Sequence, residues 1–445
     1  MNSTMTPLTH GARRSVGTGA TIALGVVLFL ACMMIAGLPE LSMLVGAALV
    51  FGISMRHPQF GLVVWLLSIC YLPFWFGLSK PMYLPPTSIV ALLLLGAIFT
   101  RNRWILNRFD FCVLLFAVLS VTAGLTGMSR PGDVTNVVTQ WVLSFLVGRL
   151  IIQRVGFDAT YRLITVLFAS VGAFAVLEFF LDWNPYYEMV ADNAQYLAWG
   201  RPQERGGIIR AEWAFGHSIA LGCSLGMAIP VALSSSFRPA IRILCASLLL
   251  AGAVVTFSRA GLVTALLSIL IYLLFAPSRH RRRGAIPLVA VCGVAIMYFA
   301  PKVLAIYTAK GTTVSAEYRA ELSQLIPSFN LLGLANGYLE PSPGVYYFEG
   351  FKSIDSTFIL LGLSFGIIPL AIILLGVIAI VIRVLRRAGT PAMIALASVI
   401  PALFTVALIT QFGSLVWFYA GLAALAWTAR ANTDNTATSE AVVST

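Results

Sequence analysis

Arginines in and beside apolar runs are the residues of this chain best suited to chemistry. The stretch "VVTFSRAGLVT" (254–264) sets Arg259 in an otherwise apolar segment. Arg201, Arg205, Arg210 and Arg319 stand in the two long polar segments, 182–213 and 301–356. A guanidinium fork holds phosphate oxygens in pairs. Interleaved with the first group are Trp183, Tyr186, Tyr187, Tyr196, Trp199 and Trp213, whose ring faces suit sugars. Carboxylates lie in or next to the same segments: Glu178, Glu212, Glu317, Glu321 and Asp355. Cations that grip phosphate beside acids that can take a proton suit transfer from a phosphate-activated donor. Plainer roles stand beside these: Arg259 as a snorkelling interfacial anchor, Arg201 and Arg205 as loop charges, and the aromatics as an interfacial belt. His217 taken by itself reads as a buried, hydrogen-bonded imidazole before a catalyst, and Glu178 also reads as the partner of an arginine.

Membrane helices must position these residues. The chain has 445 residues, of which 59% are hydrophobic and 10% charged, with a mean hydropathy of +0.90. Its apolar residues come in runs long enough to cross a bilayer, which takes about 20 residues. The pattern predicts an all-α, polytopic membrane bundle, one domain over 1–445, with no soluble domain of ordinary size between the spans. Expected spans lie near 20–37, 40–55, 59–78, 84–100, 109–128, 134–152, 161–181, 214–234, 240–257, 260–276, 285–300, 357–382, 391–410 and 413–429, about fourteen in all. The first follows Arg13 and Arg14 and lacks an A-x-A-like cleavage site, so it reads as a retained span.

Charge tests the segmentation, because Lys and Arg accumulate on the cytoplasmic side. With the N-terminus inside, inner segments take 19 of the 29 basic residues but four of the 17 acids, leaving 10 basic and 13 acidic residues outside. Both termini are then cytoplasmic, and the segments 182–213 and 301–356 become two large extracytoplasmic loops. A polar tail at 431–445 reads as disordered. The net charge of +12 follows from topology and attraction to anionic lipid, not from nucleic-acid binding; "RHRRR" (279–283) is an inner-loop anchor. Cys32, Cys70, Cys112, Cys223, Cys245 and Cys292 all fall in expected spans, which indicates neither a disulfide framework nor a metal site.

Four stretches, "RAEWAFGHSIALG" (210–222), "TFSRAGLVTALL" (256–267), "SAEYRAELSQLIPSFNLLGLANG" (315–337) and "IDSTFILLGLSFGIIPL" (354–370), resemble in order and spacing the O-antigen ligase and polymerase superfamily of bacterial envelope enzymes. The resemblance covers about 175–430. It implies glycosyl transfer at the outer face of the bacterial inner membrane; the residues themselves offer no DxD-like motif or histidine cluster, so no metal and no cofactor are expected and the arginines stand in a metal's place. The implied donor is a polyprenyl-pyrophosphate-linked oligosaccharide, and the hydroxyl of an acceptor glycan attacks its anomeric carbon. By position, Arg259 and Arg319 match arginines that would neutralise the departing pyrophosphate, and Arg210 one that would orient donor or acceptor. Arg205, His217 and Glu178 complete the expected binding residues. Ligases of the superfamily commonly carry a histidine at the start of the span after the large loop. Here that stretch reads "SIDSTF", which favours the polymerase branch and leaves Asp355 or Glu212 as the candidate base. The resemblance further implies a flippase and a chain-length regulator as partners. Transfer to a lipid or protein acceptor, and transport of the lipid-linked glycan without chemistry, are the alternatives.

Overall fold

The computed structural model describes residues 39–80, 82–99, 106–205, 207–276, 318, 321–342 and 345–443. The expected spans 20–37 and 285–300, and Arg319, lie outside the described residues. The protein is mostly helical: α1 (Pro39–Arg56), α2 (Pro58–Tyr71), α3 (Pro86–Phe99), α4 (Arg108–Leu125), α5 (Pro131–Val155), α6 (Phe157–Leu181), α7 (Ser218–Ser234), α8 (Pro239–Val255), α9 (Arg259–Phe275), α10 (Thr357–Phe365), α11 (Ile367–Leu385), α12 (Pro391–Leu403) and α13 (Thr410–Val443). Of these, α4, α5, α6 and α11 are long and apolar enough to cross a membrane, and shorter apolar helices pack among them. The strands are two small antiparallel hairpins, Glu204–Arg205 with Ile208–Ile209, and β1 (Tyr338–Ser342) with β2 (Val345–Phe348).

Local chemistry sets the helix boundaries. Proline occupies the first position of α2, α5, α8 and α12, where its missing N–H costs nothing. Asn107 and Asp110 form a reciprocal capping box at the start of α4. Ser258 accepts the Gly261 N–H and starts α9 at Arg259, after α8 has ended at Val255. The apolar run 240–276 is therefore two helices joined by the turn Thr256–Ser258.

Two expectations are corrected. The segment 357–382 is not one helix: Gly366, at φ 91°, separates α10 from α11. The span expected at 134–152 runs over Pro131–Val155 and contains a π-helical turn, Val137–Val142. The last helix is assigned over Thr410–Val443; no glycine or proline interrupts the sequence after Gly421.

α7 is the central helix, buried along nearly its whole length and packed against α6, α8, α9 and α12. Small residues let the backbones approach, as is usual between membrane helices. A Cβ on Gly261 of α9 would meet the Gly222 Cα of α7 at 2.7 Å, and one on Gly252 of α8 would meet the Gly172 Cα of α6 at the same distance. On the periphery, α4 and α11 expose Leu114, Leu115, Val118, Leu375 and Ile378, an apolar surface suited to lipid.

The bundle has two chemically different ends. At one, the connecting segments tie to each other. Gln411 donates to the Leu72 and Ala214 carbonyls, the Leu334 N–H to the Met128 carbonyl, and the Thr357 N–H to the Val406 carbonyl. The other end carries Arg56, Arg154, Arg238, Arg242, Arg383, Arg386 and Arg387. Arg149, also expected there as a topology-setting charge, is buried in an ion pair with Asp110, Nε to Oδ1 2.9 Å.

Candidate functional site

The aromatic-rich loop after α6 is held by a buried carboxylate. Glu178, in the last turn of α6, accepts four hydrogen bonds. Its Oε1 takes Asn184 Nδ2 (2.7 Å), the Glu212 N–H (3.1 Å) and the Tyr187 hydroxyl (3.2 Å), and its Oε2 takes the Trp213 N–H (2.8 Å). Trp213 sits in the left-handed backbone region, φ 45°. Its ring is clamped by stacking on Phe174 at 4.7 Å and by the edge of Tyr186. The fixed loop then orders a second layer. Glu212 Oε1 accepts the Gln203 N–H at 3.0 Å, and Arg210 Nη2 donates to Gln203 Oε1 at 2.6 Å. Burial, reinforced by the nearby Glu178, pushes the Glu212 carboxyl up to about 8 despite the opposing Arg210 charge. Near neutrality Glu212 is therefore mostly a protonated acid. The Ala211 N–H reaches the Val255 carbonyl at 3.4 Å, which sets this layer against the turn before Arg259.

Beside that layer lies a cavity of about 770 Å³. Its walls come from the α2–α3 connection, the start of α5, the loop before α7, the segment leading into α10 with α10 itself, and the α12–α13 connection. The lining mixes apolar side chains with polar groups and carries little charge. Asn136, Gln140 and Gln195 bring carboxamides; Thr135, Thr357 and Thr410 bring hydroxyls; Trp141, Trp199 and Tyr346 bring rings. The ionisable lining groups are Asp133, His217, Lys352, Asp355 and the phenols Tyr83 and Tyr346. Asp133 is occupied by Arg130, which donates from Nε and Nη2 at 2.8 Å each. The Arg130 guanidinium also lies 3.5 Å from the Tyr346 ring centroid, fastening the β1–β2 hairpin to the start of α5. Among the described residues Lys352 is the one permanent cation of the wall. Asp355, three residues on, is partly exposed and accepts the Ser353 hydroxyl at 3.0 Å. His217 caps α7, its Nδ1 accepting the Ile219 N–H at 3.1 Å. With Nδ1 accepting, the imidazole is neutral and carries its proton on Nε2.

The structure thus divides the residues singled out from sequence. Trp199, His217 and Asp355 line the cavity. Glu178, Glu212 and Arg210 form the adjoining buried layer and do not line it. Arg259 begins α9 at the same end of the bundle, partly buried, and is also absent from the cavity wall. Its helix touches α7 at Gly222, five residues and ~7 Å along the axis from His217. Arg205 pairs with Ile208 in the short hairpin of the first loop. Arg319 lies outside the described residues. Sequence reasoning did not single out Lys352, Asn136 or Gln140. Lys352 could have been found from its spacing to Asp355; the two amides carry no signal until the helix phase is known. Among the described residues, no three His, Cys, Asp or Glu side chains gather closely enough to hold a metal ion.

No protein-family model, curated protein or solved structure matches the chain.

Proposed function

We propose that this protein is a glycosyltransferase of the bacterial inner membrane, with both termini cytoplasmic, about fourteen spans, and its cavity open to the extracytoplasmic side. It extends a polysaccharide by joining oligosaccharide repeat units carried on polyprenyl pyrophosphate. The observation that carries this reading is the meeting of the outer loop ends, as assigned by charge, around one cavity. That cavity is rich in carboxamides, hydroxyls and rings, with Asp355 and Lys352 on its wall. Such a lining suits a polyhydroxylated ligand with an anionic leaving group.

In the proposed reaction the acceptor hydroxyl oxygen attacks the anomeric carbon of the donor sugar and gives its proton to Asp355. The bond from that carbon to the pyrophosphate oxygen breaks, and the electron pair leaves with the lipid pyrophosphate. Lys352 neutralises the leaving charge from the cavity wall; Arg259 and Arg319 join it in the role that the family resemblance assigns them. Neutral His217 donates a hydrogen bond from Nε2. The Glu178 layer contributes rigidity, holding the loop that carries Trp199 and His217. A flippase would deliver the donor, and a chain-length regulator would act on the product.

Purified protein supplied with the lipid-linked repeat unit alone should build a ladder of longer glycans. Unchanged chain lengths would overturn the polymerase reading, and transfer only after a second acceptor is added would convert it to a ligase.

A further inference from the structure

The start of α5 is unusual in a way that bears on the cavity. Over Val137–Val142 the backbone changes from α- to π-helical bonding, and the Leu143 N–H binds the Val138 carbonyl five residues back. Such turns are rare and concentrate at functional sites. The consequence here is a change of phase. Positions four and five apart, Asn136, Gln140 and Trp141, all reach the cavity, and the Trp141 ring still stacks on Trp417 at 5.7 Å. Gln140 is 6% exposed, and its Nε2 donates to Asn136 Oδ1 at 2.8 Å. That bond uses one end of each amide. What remains is an acceptor, Gln140 Oε1, beside a donor group, Asn136 Nδ2.

An acceptor next to a donor on the cavity wall narrows the ligand class. An anion would be repelled by the amide oxygen, and an apolar group would leave the buried Gln140 oxygen unpaired at about 1–3 kcal/mol. Adjacent hydroxyls of a neutral sugar satisfy both, because each hydroxyl donates and accepts. The nearest acid of the same helix, Asp133, is already paired with Arg130. We infer that the Asn136–Gln140 amide pair, presented by the π-turn, selects the saccharide by reading neighbouring hydroxyls of a neutral sugar ring. This rests on the cavity being the sugar-handling site proposed above, and does not require Asp355 to act as the base.

The test uses the full-length protein in lipid nanodiscs and a panel of methyl glycosides of the common hexoses and N-acetylhexosamines. Binding is followed by tryptophan fluorescence, since Trp141 and Trp199 line the cavity. Wild type should bind a subset of the panel saturably, and Gln140→Met and Asn136→Ala should each weaken that binding about tenfold. In a parallel transfer assay the same variants should raise the KM for the lipid-linked repeat unit more than they lower kcat. Asn136 is exposed and tolerates truncation, so Asn136→Ala decides the matter if Gln140→Met fails to fold. Absence of saturable binding to wild type, or binding by Asn136→Ala equal to wild type, overturns the inference. Selective binding lost in the variants, without chain growth by wild type, upholds the inference and sinks the transferase reading.

Discussion

A carboxylate can take a proton from a sugar hydroxyl only where the hydroxyl can reach it. Asp355 is partly exposed on the cavity wall, whereas Glu212 is 1% exposed and holds a backbone N–H. Burial gives Glu212 a different signature. Its folded-state pKa of about 8 exceeds the ordinary 4.5, so between those values the folded protein holds a proton that the unfolded chain has released. The associated stability is complete below 4.5 and is lost as pH rises to about 8. Glu212→Gln removes this dependence: the thermal midpoint of wild type should fall relative to the variant as pH rises through that window, and parallel profiles would contradict the burial argument. Glu178 makes a harsher demand, because four donors converge on it. Glu178→Leu should cost ~3 kcal/mol or more by stranding buried donors, seen as a lower thermal midpoint in detergent; an unchanged midpoint would show that the loop does not depend on this carboxylate. At this scale the sequence was partly legible. Residue type marked Asp355 and His217 as chemically able, but burial, which separates Asp355 from Glu212, depends on loop packing that no local pattern encodes.

Helix boundaries were legible where a polar residue marks them. Ser258 and Arg259 interrupt an apolar run and cap a helix, so the division of 240–276 could be read from residue types. The break at Gly366 is different, because apolar residues flank it on both sides and hydropathy does not change across it. Only the positive φ and the contacts reveal it. A Cβ at Gly366 would lie 2.8 Å from the carbonyl oxygens of Asn330 and Leu331, so backbone and not a flexible side chain would have to move. Gly366→Ala should therefore destabilise by ~2 kcal/mol or more, measured as loss of monodisperse protein or a lower thermal midpoint; wild-type stability would mean that the break is not held by these contacts. The π-turn of α5 is harder still to foresee. It differs from an α-turn by one residue of bonding offset, and "VVTQWV" has no composition that distinguishes the two. Its neighbours explain it afterwards: Trp141 is engaged by Trp417 and Phe116 while Gln140 and Asn136 share the cavity wall.

For the whole molecule, the asymmetry of charge supplied an orientation, and the folded chain has a matching asymmetry. Arginines collect at one end of the bundle, and the long loops and the cavity at the other. Cysteine introduced at Lys352 should react in intact cells with a membrane-impermeant maleimide, whereas one at Arg386 should react only after permeabilisation; the reverse pattern would invert the topology. The bundle itself was legible because long apolar runs leave few alternatives, but the cavity was not. It is assembled from segments hundreds of residues apart, such as Gln140 and Thr410, and it receives Trp199, His217 and Asp355 of the residues picked from sequence while leaving Arg210 and Arg259 off its wall. The most direct test of the account is the glycan length distribution made by purified protein from the lipid-linked repeat unit, with wild type beside Asp355→Asn. Wild type should give a ladder, and the variant, still folded and monodisperse, should form product at least ~100-fold more slowly. No ladder from wild type, or equal rates for the two proteins, would contradict glycosyl transfer at Asp355.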